Sequence, residues 1–454
     1  MINDDTICAV STPSGVGGIA VIRLSGQQSK QLSERYLRSL SGKRISLCDR
    51  KAMYASVVSE EGGFIDDVVA TYFKSPHSYT GDDVVELSCH GSLYVQQRLL
   101  QLFVDGGARI AEAGEFTMRA FMNGRMNLSQ AEAVADLIDS RSQMSHSLAV
   151  SQMRGGYAKE LEHLRQELID LAALLELELD FSDEDVEFAN RQRLQDTLNV
   201  LSGKVQRLVD SFQIGNAFKQ GVPVAIVGRP NAGKSSLLNA LLSEERAIVS
   251  EIPGTTRDTI EETMTIDGIT FRFIDTAGLR HSADPIENMG FERAIRSAQQ
   301  ARIILFVRNV TVPFDALAMD DIAYITDRCD MNNKHLFFVH NKCDIPHDST
   351  PPGHIVSAKE GIGVEELKQS MVKVIRNDVD RNDGVMLTNM RHYEAMQKVL
   401  AALGEVQKDL DADLSPDLVV INLRDALYHL GTITGTVTSE DVLSSVFSRF
   451  CIGK

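Results

Sequence analysis

No stretch of this 454-residue chain is apolar for long enough to cross a membrane. The longest apolar stretch, Leu168 to Phe181, is broken by Asp170, Glu176, Glu178 and Asp180, whereas a spanning helix needs about 20 mostly apolar residues. The first residues, Met1-Ile2-Asn3-Asp4-Asp5, are acidic and lack the basic-then-apolar order of an export signal. Cysteine is sparse. Six are scattered with neither a disulfide framework nor a zinc spacing. A reduced, cytoplasmic protein without membrane contact is the expectation. Positive charge is also short: 46 Lys and Arg stand against 63 Asp and Glu, for a formal charge of −17. No whole-molecule field draws nucleic acid to such a chain. Residues 1–51 reverse the balance, with eight bases against four acids, either a solvated surface or a local face for phosphates. Internal repeats and low-complexity segments are absent.

What is present is an ordinary globular composition, 43% hydrophobic and 24% charged. The length suits about three domains. Residues 1–121 mix short β-rich runs, such as Gly18 to Leu24 and Val84 to Leu87, with glycine and polar breaks, and predict an α+β domain. Residues 122–215 are helical. Leu161, Leu164, Leu168, Leu171 and Leu175 form one seam, and Leu194, Leu198, Leu201, Val205, Leu208 and Phe212 another. The acidic run Asp180 to Asp185 between them reads as a solvated loop. Residues 216–377 alternate strand-length runs (Val222–Val227, Thr270–Ile274, Ile303–Val307, Leu336–Val339) with helical patterns, which predicts a doubly wound parallel sheet. Helical texture returns over 378–454. The fold expected is therefore multidomain α/β plus α, with a helical domain interrupted by an inserted nucleotide-binding unit.

Val222–Val227 runs into Gly228-Arg229-Pro230-Asn231-Ala232-Gly233-Lys234-Ser235, which matches G-x-x-x-x-G-K-[ST]. Glycines let backbone N–H groups turn in around phosphates, the lysine reaches the β/γ-phosphates, and the serine hydroxyl holds Mg²⁺. Three later segments favour guanine over adenine. Asp275-Thr276-Ala277-Gly278 follows a strand, where an Asp can hold Mg²⁺ through water and a glycine N–H can meet the γ-phosphate. Asn341-Lys342-Cys343-Asp344 supplies a carboxylate that can accept from guanine N1 and N2 together, a pairing adenine cannot offer. Ser357-Ala358-Lys359 can give a backbone N–H to guanine O6. In this order and spacing they indicate a small GTPase domain. Leu279 stands where Ras-type enzymes carry the glutamine that orients the attacking water, so another residue or a partner must take that role.

With Gly254-Thr255-Thr256-Arg257-Asp258, the tail Cys451-Ile452-Gly453-Lys454, Ser78-Tyr79-Thr80-Gly81 with Val84-Val85-Glu86, and Gly114-Glu115-Phe116 with Arg119-Ala120-Phe121, the chain resembles the MnmE (TrmE) family of tRNA-modification GTPases over nearly its whole length. The resemblance implies an N-terminal folate-binding and dimerisation domain, then a helical domain with an inserted G domain. It implies GTP hydrolysis coupled, with an FAD-dependent partner of the MnmG (GidA) type, to an aminomethyl-type (carboxymethylaminomethyl) group at C5 of the wobble uridine of certain tRNAs. The one-carbon donor is 5-formyl- or methylene-tetrahydrofolate. Carried onto this sequence, nucleotide contacts fall on Asn231, Ala232, Gly233, Lys234, Ser235 and Ser236, on Ser250, Glu251, Ile252, Pro253, Gly254, Thr255 and Thr256, and on the three guanine-reading segments. Mg²⁺ falls to Ser235 and Thr256, and K⁺ to Asn231, Ser250, Ile252 and Thr255. Glu287 inherits the water-positioning carboxylate, and Cys451 a role as nucleophile or proton carrier. Folate contacts fall on Arg23, Glu86, Arg125 and Lys454, while Val16 stands where the family usually has arginine. Two other readings stay open: an Era-like ribosome-assembly or RNA-chaperone GTPase, and a scaffold whose nucleotide site only gates dimerisation.

Overall fold

The computed structural model describes residues 5–180, 191–243, 262–274, 287–312, 316–346, 352–380, 386–412 and 414–454. These divide into two compact units. One comprises 1–135, 152–165 and 430–454, the other 136–151 and 166–429.

Alternating apolar and polar residues build the sheet of the first unit. Its strands are β1 (Ile7–Val10), β2 (Ile19–Ser25), β3 (Leu37–Arg38), β4 (Met53–Val58), β5 (Phe64–Phe73), β6 (Val84–His90) and β7 (Arg109–Ile110), in the order β3-β4-β5-β6-β2-β1-β7. All neighbours are antiparallel except β1 and β7. On β5, Val68, Ala70 and Tyr72 point to the buried face and the residues between them are more exposed. That face packs on α1 (Ser29–Tyr36) and α2 (Leu93–Asp105) through Leu32, Tyr36, Leu99 and Phe103. The opposite face is left partly open, as an antiparallel sheet allows.

Helices α3 (Glu115–Met122) and α4 (Leu128–Asp139) follow. Leu128 and Ala131 of α4 bury against Val446, Phe447 and Phe450 from the far end of the chain. After α5 (Gln143–Met153) come the two long helices α6 (Gly156–Asp180) and α7 (Arg191–Gln220). Every leucine of the first expected seam is buried, and so are all six members of the second.

The inserted unit has β8 (Val222–Val227), α8 (Lys234–Leu242), β9 (Glu262–Ile266), β10 (Ile269–Phe273), α9 (Glu287–Gln300), β11 (Ile303–Asn309), α10 (Ala316–Arg328), β12 (His335–Asn341), β13 (His354–Ile355) and α11 (Val364–Asp380). The sheet order is β13-β12-β11-β8-β10-β9. Five strands are parallel. β9 departs from the expected all-parallel sheet because it pairs antiparallel with β10 across a two-residue turn. Asp267 and Gly268 there both hold positive φ, 48° and 79°, which is what a tight hairpin needs. The four expected strands form, Val222–Val227 with its limits as expected and the other three with limits shifted by one or two residues.

The chain closes with α12 (Met390–Asp411), α13 (Pro416–Thr434) and α14 (Glu440–Phe447). Helix α12 lies along α7, where Phe212 stacks on Tyr393 at 4.4 Å. Gly215 permits this return of the chain: a Cβ there would sit 2.1 Å from the Leu387 carbonyl oxygen. Among the described residues no helix is long and apolar enough to cross a membrane.

Candidate functional site

The phosphate loop leaves the carboxyl end of the buried strand β8 and enters α8, the place where doubly wound sheets bind ligands. Two glycines allow it. A Cβ on Gly228 (φ 145°) would meet the Val307 carbonyl oxygen at 2.0 Å, and one on Gly233 (φ 91°) would meet Asn341 Nδ2 at 2.1 Å. Asn231 holds a left-handed φ of 60°, which Asn tolerates better than most residues. The Lys234 ammonium donates to the carbonyls of Gly228 (2.7 Å) and Arg229 (2.9 Å), so the loop's own backbone holds it inside the turn. Burial pushes that ammonium below its ordinary range. The first amides of α8, at Lys234, Ser235 and Ser236, begin the helix and carry the positive end of its dipole. A lysine, first-turn helix amides and a glycine-walled turn are the donor set a polyphosphate needs. Arg229, unremarked in the sequence, pairs with Asp321 of α10 at 2.7 Å and ties the outer edge of the loop.

Asn341, at the end of β12, is 2% exposed and joins three segments. Its Nδ2 donates to the Ala232 carbonyl at 3.0 Å, and its Oδ1 accepts from the backbone of Lys342 (2.8 Å) and Ala358 (3.0 Å). The phosphate loop is thus clasped to both segments expected to read the base. Lys342 takes φ 71° in the turn that follows. Asp344 is exposed, and one carboxylate oxygen accepts from Ser357 Oγ at 2.6 Å. That bond first, and then nearby Lys359 and Lys342, hold its carboxyl below the usual range, so it stays an acceptor. The Ser357 amide is spent on Ile362. Lys359 is exposed and pairs with Glu360.

Ser250, Glu251, Ile252, Pro253, Gly254, Thr255, Thr256, Asp275, Thr276, Ala277 and Gly278 lie outside the described residues. Glu287 is the first residue of α9. Of the expected contacts, the structure therefore brings together Ala232, Gly233, Lys234, Asn341, Lys342, Asp344, Ser357 and Ala358.

A second cluster lies in the first unit. Arg23 on β2 faces Glu86 on β6 across one register pair, with Nε 2.9 Å and Nη2 2.8 Å from Oε1. Its guanidinium sits 5.3 Å from the Tyr79 ring centre and 5.6 Å from that of Phe116. The tail reaches the same place. Ile452 bridges Ala113, and the Gly453 carbonyl accepts from Ser11 Oγ (3.1 Å) and Arg23 Nη1 (3.4 Å). Arg125 stands on the exposed turn after α3 against Gly81. Tyr79 and Gly81 belong to one loop, so that loop lies between the two arginines. Cys451 is exposed and its carbonyl accepts from Gly114. A guanidinium, a half-exposed carboxylate and the partly exposed Tyr79 ring fit a flat heterocycle with an anionic tail.

Nearby, Arg109 and Arg119 hold Asp5 and the buried Glu115 in one ion network with distances of 2.6–3.0 Å. Burial raises the Glu115 carboxyl, but the guanidinium bonds outweigh it and leave the group below its usual range. The sequence motifs around Tyr79 and Phe116 flagged these positions without saying what they touch; both rings pack on Arg23.

A family model described as "GTP-binding protein TrmE N-terminus" matches residues 6–125, and one described as "MnmE helical domain" matches 128–451. A Flavobacterium johnsoniae protein named tRNA modification GTPase MnmE is 44% identical over 472 residues, covering 100% of both chains. A protein of the same name from Cytophaga hutchinsonii is 46% identical over 459 residues, covering 99% of this chain and 98% of its own. The phosphate loop, the base-reading cluster and the docked tail thus all lie within a full-length match, and the chain belongs to the MnmE (TrmE) family of tRNA-modification GTPases.

Proposed function

We propose that this GTP hydrolase of tRNA modification works as a K⁺-activated homodimer in the cytoplasm. With an FAD-dependent partner of the MnmG type, it places a carboxymethylaminomethyl-type group on C5 of the wobble uridine. The observation that carries the reading is the Asn341 clasp, which holds the Lys234 loop against the Asp344 and Ser357 base-reading pair. Lys234 and the α8 amides bind the β- and γ-phosphates. Asp344 accepts from the guanine edge. Ser235 and Thr256 hold Mg²⁺. Asn231, with Ser250, Ile252 and Thr255, would hold K⁺, whose charge would offset the charge developing on the phosphates where other GTPases use an arginine finger worth about 10³–10⁵ in rate. Glu287 orients the attacking water, a role that Leu279 leaves open.

The N-terminal cluster takes a tetrahydrofolate, which supplies the one-carbon unit. Glu86 accepts from the pterin amide edge with Arg23 bonded beside it, Arg125 and Lys454 meet the glutamate tail, and Cys451 serves as nucleophile or proton carrier. The domain division supporting this is 1–121, 122–215, 216–377 and 378–454. Mass spectrometry of tRNA from cells depleted of the protein tests the reading. Loss of the wobble-uridine modification, restored by the wild type and not by Asp344→Asn, is expected. An unchanged modification level in depleted cells overturns it.

A further inference from the structure

Helix α13 has two apolar faces. Val419, Val420, Leu423, Ala426 and Leu430 are buried. On the other side Leu418, Ile421 and Tyr428 are 47%, 60% and 54% exposed, and Leu414 stands exposed just before the helix. Positions 418, 421, 425 and 428 step by three, four and three, the repeat of a helix-packing seam, with Asp425 as its one polar member. Scattered exposed apolar residues are normal on any surface, but a seam about 15 Å long is not scattered.

The rim of the seam says what fits it. Asp417 and Asp425 stand exposed on α13, and Asp409 of α12 lies beside it, accepting from Asn422 Nδ2 at 2.7 Å, against Lys408 and Arg424. Lys408 is already paired with Glu405 at 2.7 Å, and Arg424 with Glu176 of α6 at 2.7 Å. Polynucleotide phosphates are repelled by such a rim. A second copy of this chain would lay the same acids against themselves, and like charges at an interface are costly.

We infer that the outer face of α13 docks an apolar helix, flanked by lysine or arginine, on another protein chain. The inference rests on the function proposed above, in which that chain is the FAD-dependent partner. The test is calorimetric titration of the full-length protein with the purified FAD-dependent protein of the same organism. The wild type forms a complex. Leu418→Asp with Ile421→Asp weakens it at least about tenfold, since central apolar anchors dominate such interfaces, while GTP turnover and self-association stay as they were. Equal binding by the double variant overturns the inference and leaves the partner standing. No complex with the wild type overturns both. Loss of self-association instead assigns the face to a second copy and overturns it as well. If the double variant fails to fold, Asp417→Lys with Asp425→Lys, both at exposed positions, takes its place. That pair is expected to weaken the complex and flatten its salt dependence; unchanged affinity and slope overturn the inference.

Discussion

Asp344 and Ser357 meet because β12 and the end of the β13 segment lie side by side, and their 2.6 Å bond aims one carboxylate at whatever edge a base presents. Asp344→Asn should weaken GTP and improve xanthosine triphosphate, whose ring offers an acceptor where guanine has a donor. A fluorescence titration reads both affinities, and an unchanged GTP affinity would sink the assignment. A different carboxylate works purely for stability. Asp378 Oδ2 lies 2.6 Å from Arg302 Nη2 and 2.9 Å from His335 Nε2, with both members of the arginine pair almost fully buried. Burial raises the Asp378 carboxyl, yet the His335 and Arg302 bonds outweigh it and leave it below the ordinary range. Asp378→Asn strands a buried guanidinium and should cost about 3–5 kcal/mol in urea unfolding at neutral pH. A carboxyl lowered in the folded state adds stability above its unfolded pKa and loses it as pH falls through the folded value. The gap between wild type and variant should therefore close below the ordinary carboxylate range, and a pH-independent gap would refute the ionic account. At this scale the sequence was informative where function is local. Gly228 to Ser235 and Asn341 to Asp344 are contiguous, so their spacing already encodes their geometry. Arg23 between Tyr79 and Phe116 was not legible, because partners 56 and 93 positions away meet only through the sheet.

Among elements, the leucine seams of α6 and α7 announced themselves because a helix repeats its buried face every three or four residues. Strand β9 did not, since Glu262-Thr263-Met264-Thr265-Ile266 holds only two buried apolar side chains and needs β10 beside it to form. Val442, Leu443, Val446, Phe447 and Phe450 are spaced as one stripe of a helix, and α14 with the turn after it buries the last three of these. What periodicity could not say is where the tail lands. That depends on one residue: Gly453 at φ 95° passes so close to β1 that a Cβ would lie 2.2 Å from the Val10 carbonyl oxygen. Gly453→Ala should release the tail. Hydrogen exchange at the Gly114 amide, which donates to Cys451, should accelerate while GTP turnover stays unchanged. A protected Gly114 amide in that variant would show that the tail tolerates the side chain.

Across the whole molecule, the proposed chemistry depends on a bound cation. K⁺ should stimulate both GTP turnover and association, and Na⁺, smaller and more tightly hydrated, should do neither. Asn231→Ala should erase the difference, and Glu287→Ala should slow turnover with nucleotide binding intact. Equal rates in the two salts would reject the mechanism, and a fully active Glu287→Ala would move the water-positioning role elsewhere. The first unit is stitched from opposite regions of the chain, with Ser11 bonded to Gly453 and Leu128 packed on Phe447. On a ribosome that separation becomes a delay. The sheet can form early, but residues 430–454 follow some 300 positions later, which at about 5–20 residues per second is about 15–60 s. Through that interval the Arg23 cluster stands without its tail, and any product of interrupted synthesis keeps the sheet while lacking the wall that Gly453 builds.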